Sequence, residues 1–281
     1  MRAGPAARRL RMRARPGSAR RAWRAVCLGL ALAGPAAALA DEGCGPGAFS
    51  SPRTVEGSLV RLGEAAAAYE DLTGRYGHGV LGDALEPETL RYWPPALPGR
   101  CGVSVTLDEA HVFEDLAPRL ADLDGDSLPE VITVRSHRSK GAQIAVYGLR
   151  AGRLELVAQT PYIGQSNRWL APVGAADLDR DGYAEVAYID RPHLAKTLRI
   201  WRFRDGALSE VASAPGLTNH RIGQDFITSG IRDCGQGPEL VTVSGGWRRI
   251  MASRLQEGRI ASRDIGPFRP DTGLRHALAC R

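Results

Sequence analysis

Short apolar runs with a two-residue alternation recur along the chain, and each is closed by a glycine or aspartate turn. Glu130–Val134, Ala142–Tyr147 and Arg153–Val157 form one such series, with a turn at Gly152. Leu198–Phe203 and Ala207–Val211 flank Gly206, and Arg249–Arg254 and Arg259–Arg263 flank Gly258. Alternation over four to eight residues predicts half-buried strands, and glycine turns between them predict antiparallel hairpins. The three glycines are 54 and 52 residues apart, so the pattern is a repeat. Glu185–Ile189 and Glu239–Val243 stand where Glu130–Val134 stands in its own unit. Trp169–Ala176 and Gln224–Thr228 are expected to add a strand ahead of theirs.

Each unit therefore has four short strands in about 55 residues, the content of a propeller blade. A single blade cannot bury its faces, so neighbours must stack. Residues 56–120 are expected to hold a diverged unit, with Ala65–Tyr69 as its first strand, a loop over 71–83, and later strands at Thr89–Trp93 and Val103–Val105. The alanine run could instead be a helical turn. The clear repeats fall at about 121–165, 166–221 and 222–280. The expectation is an all-β protein, a β-propeller of four blades, or five if strands are shared across the junction.

The runs beginning at Glu130, Glu185 and Glu239 are each preceded by acid. Asp122, Asp124, Asp126 and Glu130 recur in register as Asp177, Asp179, Asp181 and Glu185. The third copy keeps only Asp233 and Glu239. Positions 1, 3 and 5 offer carboxylates, position 7 a backbone carbonyl (Leu128 or Tyr183), and position 9 a glutamate able to bind through two oxygens. Six or seven oxygens with four negative charges suit Ca2+ better than Mg2+, which demands tighter octahedral geometry. The spacing is not that of an EF-hand, whose bidentate glutamate is at position 12; here position 12 is Thr133 or Tyr188. Without a cation, like charges roughly 4 Å apart would repel by about 4 kcal/mol per pair at an intermediate dielectric. A solvated acidic turn is the alternative, and two loops in register weigh against it.

The loops, the strands after them and the period resemble FG-GAP/VCBS repeats, the calcium-loop blades of the integrin alpha-subunit propeller and of many bacterial secreted proteins. Asp177–Glu185 meets the pattern D-x-[DN]-x-[DN]-G-x-x-[DE] at every position; the first loop has Ser127 where glycine is usual, with Gly125 two earlier. The resemblance implies the propeller fold and two structural Ca2+ ions, and does not imply a reaction.

Charge and cysteine usage place the chain. Residues 1–40 hold nine arginines and no acidic residue, then an apolar run Ala25–Ala33 and the end Ala38–Ala40. This is the form of a secretory signal peptide, with a retained signal anchor as the alternative. The whole chain is formally +6, and with those nine arginines set aside residues 41–281 come to about −3. The basic balance thus belongs to the leader and gives no support for nucleic-acid binding. No later stretch is apolar enough to insert in a membrane. The location expected is periplasmic or secreted. Four cysteines remain after the leader, and an even number in an exported chain implies disulfides. Cys44–Cys101 and Cys234–Cys280 are favoured because each pair brackets one unit; a Cys44–Cys280 clasp is the alternative.

No nucleophile–base set, phosphate loop or metal-binding histidine spacing is present, so a non-enzymatic module binding a protein or a glycan is expected. Asn167, Arg168 and Trp169, with His193 and His220, are the candidate ligand-binding residues. Asn167, Arg168, Trp169 and His220 lie just before the first strands of successive repeats, where Trp169 could equally pack between blades, and His193 lies in a loop between two strands, 191–196. The alternative is a hydrolase, lyase or lectin with an axial pocket.

Overall fold

The structure is a computed structural model, described for Phe49, residues 51–82, 84–97, 101–270 and 273–281. The expected signal peptide, residues 1–40, lies outside the described residues.

The chain is all-β, with four antiparallel sheets laid down in sequence order. The first holds β1 (Val60–Leu62), β2 (Ala65–Thr73), β3 (Glu86–Trp93) and β4 (Val103–Thr106). The second holds β5 (His111–Phe113), β6 (Arg119–Ala121), β7 (Glu130–His137), β8 (Gly141–Arg150) and β9 (Arg153–Gln159). The third is β10 (Leu170–Ala176), β11 (Glu185–Asp190), β12 (Thr197–Arg204) and β13 (Ala207–Pro215). The fourth is β14 (Leu217–Thr218), β15 (Gly230–Asp233), β16 (Pro238–Ser244), β17 (Arg249–Gln256) and β18 (Arg259–Pro267). A short helix, α1 (Gly273–Leu278), follows.

Period-two alternation decides which sheet meets which. On β7, Val131 joins the core shared with the first sheet, while Ile132 and Val134 join that shared with the third. On β8, Ala145 and Tyr147 face the first, and Ile144 and Val146 the third. On β11, Val186 and Tyr188 face the second sheet, and Ala187 and Ile189 the fourth. Inner strands buried on both faces are what a stack of sheets requires, because successive side chains point to opposite faces. The outer strands β9, β13 and β18 are largely exposed.

The two ends of the stack are covered by the chain itself. Ala66, Ala68 and Trp93 on the far face of the first sheet pack against Phe49 and Leu59. Val241 and Ile250 on the far face of the fourth pack against Leu274, Ala277 and Leu278 of α1. The first and fourth sheets share no hydrophobic cluster among the described residues. The loop after β2 spans that side: Val80 and Leu81 join the core between the second and third sheets, and Val80 O accepts a hydrogen bond from Gly223 N, 3.2 Å.

Three expectations are corrected. Ala65–Tyr69 is a strand and not a helical turn, but it is the second strand of its sheet, since Val60–Leu62 pairs ahead of it. Gln224–Thr228 is not a strand; it is the loop between β14 and β15, both of which pair with β16. The last sheet accordingly begins at Leu217, inside the range 166–221 assigned to the preceding repeat. Its first strand is split, as is that of the second sheet, where β5 and β6 both pair with β7.

Cys234 and Cys280 form the favoured disulfide, which excludes the Cys44–Cys280 clasp. Cys101 is also disulfide-bonded; Cys44 lies outside the described residues. The Cys234–Cys280 bond ties α1 to the loop ahead of β16.

Candidate metal centre

The acidic loops join the first strand of a sheet to the second, at 122–129 between β6 and β7 and at 177–184 between β10 and β11. Their backbones match. Position 1 gathers the loop: Asp122 accepts from Gly125 N (2.8 Å) and Ser127 N (3.0 Å), and Asp177 from Asp181 N (3.1 Å) and Gly182 N (3.0 Å). Position 5 accepts from position 7, Asp126 from Leu128 N and Asp181 from Tyr183 N. Position 9 reaches back to position 2, Glu130 to Leu123 N (3.0 Å) and Glu185 to Leu178 N (2.8 Å). Leu123 and Leu178 are buried and anchor the loops to the core.

Ser127 does not break the loop. Positions 4 and 6 are left-handed in both, Gly125 and Ser127 at φ 78° and 69°, Arg180 and Gly182 at φ 64° and 91°. Each loop has one glycine and one residue held in a conformation that costs about 1 kcal/mol. The glycine has merely changed places.

Three carboxylates converge in each loop. One oxygen each of Asp122, Asp124 and Glu130 lie within 4.8 Å of one another, and so do those of Asp177, Asp179 and Glu185. Asp126 and Asp181 stand outside these groups. Both clusters have the chemistry to hold a hard cation, since their atoms are all carboxylate oxygens.

The glutamates differ in their cations. Glu130 is 1 % exposed, and Arg150 approaches it only to 4.0 Å. Burial, with Asp124 and Asp126 adding, pushes its carboxyl up to about 7. Glu185 is fully buried and also raised by burial, although Arg202 donates to it. In the last sheet Glu239 is also buried, which would raise it, but Arg232, Arg254 and Arg263 outweigh burial and hold it below the ordinary carboxylate range. In that third loop Asp233 accepts from Gly235 N and Gly237 N, and Cys234 carries the disulfide.

Residues 122–188 match the family model of the FG-GAP-like repeat. The chain carries an FG-GAP-like repeat. The match runs from the first acidic loop, through β7 to β10 and the second loop, into β11. No curated protein matches the chain.

The other candidates separate into buried and exposed groups. Trp169 is buried in the core between the second and third sheets, and its indole donates to Glu114 O, 2.8 Å. His220, fully buried, lies against it with ring centroids 4.8 Å apart. His193 Nε2 is 3.0 Å from His220 Nδ1. Asn167 is exposed, and Arg168 turns back to the Asn167 carbonyl. The structure thus joins Trp169, His193 and His220 and leaves Asn167 and Arg168 apart from them. Nearby, both oxygens of the buried Glu114 are engaged, by His78 and Ser136.

Sequence reasoning passed over two features. The arginines facing the loops are one, although aligning the repeats places Gly148, Arg202 and Arg254 at one position, 54 and 52 apart. The second is a pocket of about 210 Å3 beside α1, lined by Arg221, Gln224, Phe226, Thr228, Trp247 and Phe268 among others. The Arg221 guanidinium lies 4.2 Å over the Trp247 ring, and Phe268 meets that ring edge-on. Thr228 is buried and its hydroxyl has no protein partner. Trp247 sits at φ 58°, strained for an aromatic residue. The pocket joins loops from three places in the chain, so no local motif announces it.

Proposed function

We propose that the protein is an exported, non-enzymatic, four-bladed propeller-like module, stiffened by Ca2+ in its acidic loops, that binds an acidic glycan. The observation that carries the binding reading is the Arg221–Trp247 pocket. An arginine stacked on an indole keeps its N–H edge free to grip a carboxylate or sulfate through two parallel bonds. Phe226, 51 % exposed, supplies an apolar wall. A volume of about 210 Å3 suits a sugar ring.

Calcium is supported by the convergent carboxylates and by the FG-GAP-like repeat. Asp122, Asp124, Glu130 and their counterparts Asp177, Asp179, Glu185 would hold it, tying the first strand of a sheet to the second. Export is supported by the disulfide, which persists in oxidising compartments. No helix among the described residues is long and apolar enough to cross a membrane. The hydrolase or lyase alternative has the His193–His220 pair in its favour, but His220 is fully buried.

The test is calorimetric titration of the purified protein with uronic-acid and sulfated oligosaccharides, and with neutral ones as controls. Acidic sugars should bind, and Arg221→Gln should weaken them at least about tenfold. Equal binding of neutral sugars, or an unaffected Arg221→Gln variant, would remove the pocket from the argument.

A further inference from the structure

The two complete acidic loops carry the same four carboxylates, yet they do not offer them equally. In the second, Arg202 on β12 pairs across the ladder with Glu185 on β11. Its guanidinium reaches three loop carboxylates at once. Nε donates to Glu185 Oε1 (2.6 Å), Nη2 to Asp179 Oδ2 (2.5 Å), and Nη1 lies 2.9 Å from Asp181 Oδ2. The side chain is 22 % exposed, packed into the loop rather than draped over it.

The corresponding position of the first repeat is Gly148, beside Tyr147, which pairs with Val131. It has no side chain. The nearest guanidinium, Arg150, comes from two residues further on, is 41 % exposed, and stays 3.4 Å from Asp124 and 4.0 Å from Glu130. In the last repeat the arginine recurs as Arg254, 2.7 Å from Glu239, and there the loop has lost its other acidic positions except Asp233. At this one ladder position the three repeats form a series: four carboxylates opposite a glycine, four opposite an arginine, two opposite an arginine.

A guanidinium and a metal ion compete for the same lone pairs. A bidentate Glu185 would have to release Arg202 Nε, and the displaced positive charge would stay within a few ångströms of the ion. What Arg202 leaves in the loop is Asp177, Asp181 Oδ1 and Glu185 Oε2, all of them already accepting backbone N–H bonds, and Asp179 Oδ1, which is buried without a partner. That residue of acceptors suits weak binding. We propose that Arg202 acts as a built-in cation of the second loop, so that the protein has one strong Ca2+ site, at Asp122, Asp124 and Glu130, and one much weaker site. This rests on the calcium reading above.

The experiment is Ca2+ titration by calorimetry on the wild type and on Arg202→Gln, with Asp124→Asn to locate the strong site. The wild type should bind one equivalent tightly and a second at least tenfold more weakly, a gap of about 1.4 kcal/mol. Arg202→Gln should tighten the second site at least tenfold, and Asp124→Asn should abolish the first. Arg202→Lys, a point charge without the fork, should tighten the second site by less; it serves as the test if Arg202→Gln fails to fold. Two wild-type sites of equal affinity, or a second site that neither Arg202 variant tightens, overturn the inference while leaving calcium in place. Absence of Ca2+ binding in every protein overturns both.

Discussion

Acidification should unlock the His193–His220 pair. The hydrogen bonds dictate both tautomers. Gln224 O can only accept, so His220 Nε2 carries the proton that bridges the 2.9 Å between them. His220 Nδ1 is then an acceptor, and His193 Nε2–H donates to it. A proton added to His220 would land on Nδ1 and face a donor. Burial, then the neighbouring His220 and His78, depress His193 to about 4, with Lys196 adding to the effect; burial depresses His220 as well. The unfolded chain binds these protons near 6.5, so it holds more protons than the folded chain between pH 6.5 and 4. The stabilisation is therefore complete above pH 6.5 and is lost as pH falls towards 4. For His193 the gap sets a ceiling of about 3 kcal/mol, of which about 2 kcal/mol should be gone by pH 4.5. Other groups titrate in that window, so the assay is a difference: urea unfolding of wild type and His193→Gln at pH 7 and pH 4.5. Glutamine can still donate to His220 Nδ1 but cannot charge. The wild type should lose about 2 kcal/mol more than the variant between the two pH values. Parallel losses in the two proteins would show that the pair is not buried neutral, and the reasoning would fail.

Two further outcomes follow from the fold. Replacing both Cys234 and Cys280 by serine should lower stability by about 4 kcal/mol on the chain-entropy model, for a sequence separation of 46; urea midpoints measure it, and proteolysis should then cut first at the released C-terminal helix. Gly141→Ala should cost well over about 2 kcal/mol, because φ is +73° and the new methyl would stand 2.3 Å from Gln165 O and 2.8 Å from Arg168 O. Gly152→Ala, at φ +77° with nothing within 4 Å, should cost only about 1 kcal/mol; equal midpoints for the two variants would contradict the close approach.

The sequence by itself determined what depends on near neighbours. Alternation along Glu130–Val134 and Ala142–Tyr147 specified strands and, with the repeat, faces buried on both sides. The acidic loops were legible because their hydrogen bonds run between residues at most seven apart, from Asp122 to Ser127 and from Glu130 to Leu123. Even Ser127 proved harmless for a local reason, the left-handed conformation shared with Gly182. The C-terminal disulfide was chosen correctly because its cysteines bracket one unit. Tertiary structure alone decided what depends on register and stacking. Whether Ala65–Tyr69 opens its sheet turned on Val60–Leu62, three residues with little apolar pattern of their own. Gln224–Thr228 reads like a strand, but it closes the Arg221–Trp247 pocket as a loop. Arg202 meets Glu185 only because one hairpin register sets them opposite each other, and Gly148 leaves the first loop open by the same geometry. Local patterns reveal which oxygens gather, because a tight turn is built by its own residues. Which cation they face is decided across strands, by contacts the chain makes only once the sheet is paired.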